Sequence, residues 1–127
     1  MILKTRDIGI LGEKLAANYL KKHGYKIIDS NIHQSHKEID IIAKNKEYIV
    51  FAEVKTRSVD QDLYNSYGTP AEAVDKKKRS NLLFAANLYL SKNACDKQPR
   101  MDVLEVYLDK NTRKLLHINH IENAYGG

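Results

Sequence analysis

The hydrophobic pattern predicts two helices and five strands. Apolar residues recur at spacings of three and four from Asp7 to His23, which predicts an amphipathic helix, and Gly24 is placed to end it in a left-handed conformation. Thr69-Pro70-Ala71-Glu72 has the pattern of a helix start and predicts a second helix that reaches about Ser91. The predicted strands are Tyr25–Ile32, Glu38–Ala43, Tyr48–Arg57, Met101–Leu108 and Leu115–Ile121.

The order of these elements, α-β-β-β-α-β-β, indicates a mixed α/β domain with helices flanking a sheet. The polar turn Lys44-Asn45-Lys46-Glu47 joins the second and third strands into a central antiparallel hairpin. Both faces of the third strand are mostly apolar, so we expect it to be covered on both sides. Residues 93–100, which include Pro99, are predicted to be a loop. Because the chain shows no repeat or linker, we expect residues 1–127 to form one domain.

Composition narrows the class of protein. With 43% hydrophobic and 29% charged residues, the chain is typical of neither disordered nor membrane proteins. None of its apolar runs is longer than Tyr48–Ala52, which is far shorter than the about 20 residues of a spanning helix. Charges near the start argue against a signal peptide, and the single Cys95 suits a reducing compartment, so we expect a cytoplasmic protein. The 21 Lys and Arg against 16 Asp and Glu leave a net charge of +5, which weakly favours an anionic partner.

Charge interrupts two neighbouring strands that should be apolar. On the third strand Phe51, Glu53 and Lys55 share one face because side chains alternate. The hairpin turn allows two registers, which pair residues whose numbers sum to 91 or to 93. Asp40 then lies diagonal to Glu53 or directly opposite it, on the same face in both cases. The two segments are Glu38-Ile39-Asp40-Ile41-Ile42 and Val50-Phe51-Ala52-Glu53-Val54-Lys55.

This grouping has the parts that metal-dependent phosphodiester hydrolysis requires. Mg²⁺ is typically held by one or two carboxylates, which Asp40 and Glu53 offer. The ammonium of Lys55 can position the attacking water or stabilise the charge that develops on the phosphate. The alternative is that these residues form ordinary ion pairs on a sheet surface, but burying two acids beside a lysine is costly unless they bind something.

These residues resemble the core of the PD-(D/E)XK nuclease superfamily. Asp40 matches its first acidic position, Glu53-Val54-Lys55 matches its E-x-K motif thirteen residues later, and the α-β-β-β-α-β order matches its restriction endonuclease-like core. More narrowly, Arg6 to Tyr125 resembles the YraN-type family of predicted endonucleases, which are similar to Holliday junction resolvases. The further matching segments are Gly12-Glu13, Gly24-Tyr25, Asn31, Lys77-Lys78, Arg100-Met101-Asp102-Val103 and Asn123-Ala124-Tyr125. One position departs from the family pattern, because Lys37 stands where Gly usually precedes Glu-Ile-Asp.

The resemblance implies roles for single residues. Asp40 and Glu53 would bind Mg²⁺ or Mn²⁺, with the Val54 carbonyl as a third ligand. Lys55 would be the catalytic lysine, and Glu13 would be the acid that resolvase-like members place at the edge of the site.

The resemblance implies a nucleic-acid partner, most simply DNA, and the basic residues supply candidate contacts, although the lysines of the predicted second helix are alternatively an ordinary solvated helix face. Arg57, on the face of Lys55, and Lys77 and Lys78, in the predicted second helix, are the candidates for phosphate contacts. A resolvase of branched DNA would need paired active sites and therefore a homodimer. Two alternatives stay open: a non-catalytic nucleic-acid-binding module on a nuclease-like fold, and a protein-interaction module whose acids and lysine form a structural ion network.

Overall fold

The computed structural model describes residues 5–34, 37–60 and 76–125. Their element order agrees with the predicted one, and the mixed α/β fold class is confirmed. Most boundaries lie within a few residues of the predicted ones, and Gly24 has the expected left-handed conformation, with φ of 89°. The elements are α1 (Thr5–Lys22), β1 (Lys26–Gln34), β2 (Lys37–Lys44), β3 (Tyr48–Val59), α2 (Lys76–Lys92), β4 (Gln98–Asp109) and β5 (Leu115–Ile121).

The strands form one five-stranded sheet in the order β1-β2-β3-β4-β5. All neighbours are antiparallel except β3 and β4, which run parallel over twelve paired residues from Tyr48↔Gln98 to Val59↔Asp109. Of the two predicted registers, the hairpin of β2 and β3 has the one in which the paired residue numbers sum to 93, as in Ile41↔Ala52 and Ala43↔Val50. Such a mixed sheet, with α1 before its first strand and α2 between β3 and β4 in chain order, is consistent with a restriction endonuclease-like core.

Both faces of the sheet are covered, as the apolar pattern of β3 predicts. Val50 and Ala52 pack with residues of α1 such as Ala16 and Leu20. On the opposite face, Phe51 packs with α2 residues that include Leu82, Ala85 and Ala86. β3 is therefore a central strand, and its residues after Ala52 are half-buried or exposed rather than fully buried.

The structure corrects one predicted boundary. Gln98, Pro99 and Arg100 belong to β4 rather than to the preceding loop, because β4 pairs with β3 from its first residue. A proline fits there because it stands near the start of a strand, where a missing N–H donor is tolerated. The predicted helix start at Thr69-Pro70 lies outside the described residues. None of the helices in the described part of the chain is long and apolar enough to cross a membrane.

Candidate functional site

The regular alternation of β2 is interrupted at Asp40. Ile39 packs on the α2 face of the sheet with Phe51, whereas Ile41 packs on the α1 face. The neighbouring strand is irregular at the same level, because Asn31 has a left-handed φ of 51° between the pairs Ser30↔Ile41 and Ile32↔Ile39. Asn tolerates that conformation better than most residues. The prediction of one shared face for Asp40 and Glu53 assumed that side chains alternate regularly along β2, and this alternation is broken at Asp40.

The Asp40 carboxylate lies at the point where β2 and β3 separate. Its Oδ2 accepts the backbone N–H of Val54 at 2.8 Å, just beyond the last regular pair, Ile41↔Ala52. The N–H and C=O of one strand residue point to the same side of the strand. The Val54 carbonyl, a predicted metal ligand, is thus directed toward the β2 side of β3, as the N–H of Val54 is.

Three carboxylates meet at this opening. Glu13 of α1 and Glu38 and Asp40 of β2 can each place one oxygen within 4.8 Å of the other two. Burial raises the pKa of Asp40 from 3.8 to about 7; the Val54 N–H opposes this rise, and the charges of Glu13, Glu38 and Glu53 add to it. Burial and the charge of Glu38 also raise the pKa of Glu13. The cluster is therefore a place where negative charge is costly to the metal-free protein.

The position of Glu13 depends on close contact between α1 and the sheet. Gly12 is buried, and a Cβ added there would overlap the Thr56 side chain of β3. The absence of a side chain at Gly12 lets the helix backbone approach β3 closely. The next residue is Glu13, whose carboxylate reaches the Asp40 cluster as a result.

Glu53 lies near this cluster but is not one of its three members. Its charge acts on Asp40, while its Oε2 accepts a hydrogen bond of 2.9 Å from the hydroxyl of Tyr125. Tyr125 packs on the α2 face of the sheet. The structure thus brings Glu13 together with Asp40 and places Glu53 beside them with a partner that the predicted site did not include.

The basic residues of β3 follow Glu53 toward the end of the strand. Lys55 is half-buried and pairs with Glu105 of β4 in the parallel ladder. Arg57 has its Nε 3.7 Å from Oε2 of Glu105. Glu105 is 1% exposed and also accepts a hydrogen bond of 2.9 Å from Asn119. The guanidinium of Arg57, predicted to contact phosphate, is therefore held beside a buried acid of the sheet.

The other predicted phosphate contacts belong to α2. Lys77 and Lys78 lie in the first turn of α2, and their side chains fall outside the described part of the structure.

Sequence reasoning missed two members of this region. Glu38 stands two residues before Asp40, and the signal for it was a second acid in the same apolar strand. The contact of Tyr125 with Glu53 spans 72 positions along the chain, and no local pattern predicts it.

The donor set fits a hard divalent cation. Mg²⁺ and Mn²⁺ prefer carboxylate and carbonyl oxygens, which the three clustered acids, Glu53 and Val54 offer. A cation would also offset the mutual repulsion that accompanies the raised pKa of Asp40. Of the predicted ligands, Asp40 belongs to the cluster and accepts the Val54 N–H, whereas Glu53 acts on Asp40 through its charge and is not one of the three clustered acids.

The fold and the site define a mixed α/β protein with a restriction endonuclease-like core and an acidic cluster at its central hairpin. Comparison with known sequences gives the family: the profile of Uncharacterised protein family UPF0102 matches residues 12–106. A UPF0102 protein of Caldanaerobacter subterraneus subsp. tengcongensis is 44% identical over 124 residues, covering 97% of this chain and 98% of the relative. One from Clostridioides difficile is 41% identical over 97% of this chain and 100% of its own. The chain belongs to the UPF0102 family.

Proposed function

We propose that this protein is a metal-dependent endonuclease that hydrolyses DNA phosphodiesters, with branched and structured DNA as the first substrates to test. The observation that carries the proposal is the meeting of Glu13, Glu38 and Asp40 within 4.8 Å, next to the strand that bears Glu53 and Lys55. Mg²⁺ or Mn²⁺ is the proposed cofactor.

Each residue has a task in this proposal. Asp40, Glu53 and the Val54 carbonyl would hold the ion, and Glu13 would complete the acidic edge. The ion, when bound, supplies Lewis acidity toward the phosphate and lowers the pKa of a bound water. The ammonium of Lys55 would stabilise the negative charge that develops on the phosphate during attack.

Metal binding is tested first, by thermal melting with and without Mg²⁺. A ligand that binds only the native state raises Tm by mass action, by the equivalent of about 2.7 kcal/mol at a hundredfold excess over Kd. We expect wild-type protein to gain stability and Asp40→Asn to gain far less. The matched control is Asp96→Asn, the same chemical change at an exposed loop position, which should respond as the wild type does.

Cleavage is tested with labelled linear, nicked and four-way DNA in Mg²⁺ or Mn²⁺. We expect wild type and Asp96→Asn to cut at least one substrate, and Asp40→Asn and Lys55→Met to cut none. Wild-type protein that cuts none of these substrates, with a Tm that Mg²⁺ leaves unchanged, would refute the proposal. DNA binding that persists in chelator without cleavage would instead identify a non-catalytic binding module. Loss of both DNA binding and the Mg²⁺ response would favour the protein-interaction module.

A further inference from the structure

The residues after β5 fold back over the sheet and end on a candidate metal ligand. The N–H of Ala124 donates to the Met101 carbonyl at 2.8 Å, which fastens this segment to β4. Met101 is the ladder partner of Phe51, two residues before Glu53. The hydroxyl of Tyr125 then donates to Oε2 of Glu53 at 2.9 Å. Tyr125 is only 5% exposed, so its ring is packed rather than loosely laid on the surface.

A buried ionic network anchors the start of this segment. Asp102 is 0% exposed, and its Oδ1 accepts the N–H of Asn123 at 2.9 Å. Asp102 is itself held by the Arg100 guanidinium, with bonds of 2.9 and 2.8 Å, and by His120 Nε2 at 2.7 Å. Asn123 has a left-handed φ of 51°, which redirects the chain after β5. Asp102 therefore secures the turn from which Tyr125 reaches Glu53.

We infer that Tyr125 is a positioning residue, which orients the Glu53 carboxylate for binding of the divalent cation. This inference rests on the proposed function, since it concerns the same metal site. A carboxylate accepts hydrogen bonds in fixed directions, so the hydroxyl that donates to Oε2 limits how the whole group can turn toward the ion. Hydrogen bonds from such outer partners orient metal ligands, and their loss typically weakens metal affinity about 10- to 100-fold.

The position of the contact favours orientation over simple packing. Backbone pairing of Glu53 with Val103 fixes only the main chain, so the direction of the carboxylate depends on side-chain contacts such as the hydrogen bond from Tyr125. Tyrosine fixes its hydroxyl with two side-chain angles and a buried ring, so it orders the carboxylate at little cost in conformational entropy. The segment after β5 is thus part of the proposed metal site, although it lies far from Asp40 and Glu53 in sequence.

The test compares Tyr125→Phe with Tyr89→Phe. Phenylalanine keeps the ring and removes only the hydroxyl, and Tyr89 packs its ring edge-to-face on Phe51 in the same core layer. Mn²⁺ is titrated into metal-free protein, and free Mn²⁺ is followed by electron paramagnetic resonance. We expect Tyr125→Phe to bind Mn²⁺ about 10- to 100-fold more weakly than wild type, and Tyr89→Phe to bind it as wild type does.

A second measurement separates orientation from general loosening of the fold. Glu53→Gln is combined with Tyr125→Phe, and the double variant should bind Mn²⁺ as weakly as Glu53→Gln alone, because the oriented carboxylate is already lost. An equal further loss in the double variant, or wild-type affinity in Tyr125→Phe, would overturn the positioning role and leave the proposed metal site intact. Wild-type protein that fails to bind Mn²⁺ would overturn both, so the two failures are distinguishable.

Discussion

Replacing Asp40 with Asn should stabilise the metal-free protein at neutral and alkaline pH. Burial raises the pKa of Asp40 to about 7, and the charges of Glu13, Glu38 and Glu53 contribute further. The ionised form is thus disfavoured in the folded chain relative to the unfolded one. Asn has nearly the same shape, and its side-chain carbonyl can still accept the Val54 N–H that Asp40 accepts at 2.8 Å. The substitution therefore removes the charge and keeps the hydrogen bond.

The pKa difference gives the size and the pH range of the effect. The pKa of Asp40 rises from 3.8 to about 7, a difference of about three. At about 1.36 kcal/mol for each pKa unit, the upper limit of the change in unfolding free energy is about 4 kcal/mol. Because Asp40 is only half-buried, solvent screening reduces this to about 1–2 kcal/mol. Because the pKa of Asp40 is higher in the folded chain than in the unfolded one, proton binding by Asp40 favours folding. This contribution is fully present below pH 3.8 and is lost as the pH rises to about 7. The advantage of Asp40→Asn should therefore grow across this range and level off above it.

Urea unfolding in chelator, at several pH values from about 4 to 8.5, measures this difference directly. Asp96→Asn is the control, since it makes the same chemical change at an exposed position. A variant that is less stable than wild type at pH 8, or whose advantage does not change with pH, would refute the electrostatic reasoning. Adding Mg²⁺ should reverse the order of stabilities, because only the wild type keeps the full set of proposed ligands.

Two further substitutions test how the site is supported. Gly12→Ala should destabilise the protein by about 1–3 kcal/mol in urea unfolding, since the added Cβ overlaps Thr56. Gly9→Ala in the same helix is the control, because a Cβ added there meets nothing within 4 Å. This variant should be neutral or stabilising by up to about 1 kcal/mol. Equal effects at the two positions would contradict close packing at Gly12. Asp102→Asn should cost about 3 kcal/mol at pH 7, because it removes the buried charged partner of Arg100 and leaves only the exposed Glu122, 3.9 Å away. Burial opposes ionisation of Asp102, but hydrogen bonds from His120, Arg100 and the Asn123 N–H lower its pKa. The cost of Asp102→Asn should therefore shrink only as the pH falls below about 4. A cost that persists unchanged at pH 2.5 would contradict this assignment.

The element order and the central hairpin could be predicted because they depend on local patterns. Helical spacing in α1, alternation in the strands and the short turn at Asn45 each act over a few residues. Even the register of β2 and β3 followed from the turn to within one step. The start of β4 was harder, because Pro99 usually signals a loop and only pairing with β3 makes it a strand residue.

The neighbours of Asp40 could not be predicted in the same way. The left-handed Asn31 and the change of facing between Ile39 and Ile41 depend on two strands distorting together. A parity argument assumes that such distortions are absent. The E-x-K strand and Asp40 were identified by their charge in an apolar context, while the contribution of Tyr125 needed the three-dimensional fold.

Two aspartates of the same sheet show why the cation is assigned to Asp40. Asp102 is completely buried, yet its pKa is lowered because His120, Arg100 and a backbone N–H outweigh the cost of burial. Asp40 is less buried, yet its pKa is raised, because one N–H is outweighed by burial and by three neighbouring carboxylates. The fold itself neutralises the first acid and concentrates negative charge around the second. Since uncompensated charge inside a fold is costly, the Asp40 cluster is the place where a divalent cation would stabilise the protein most.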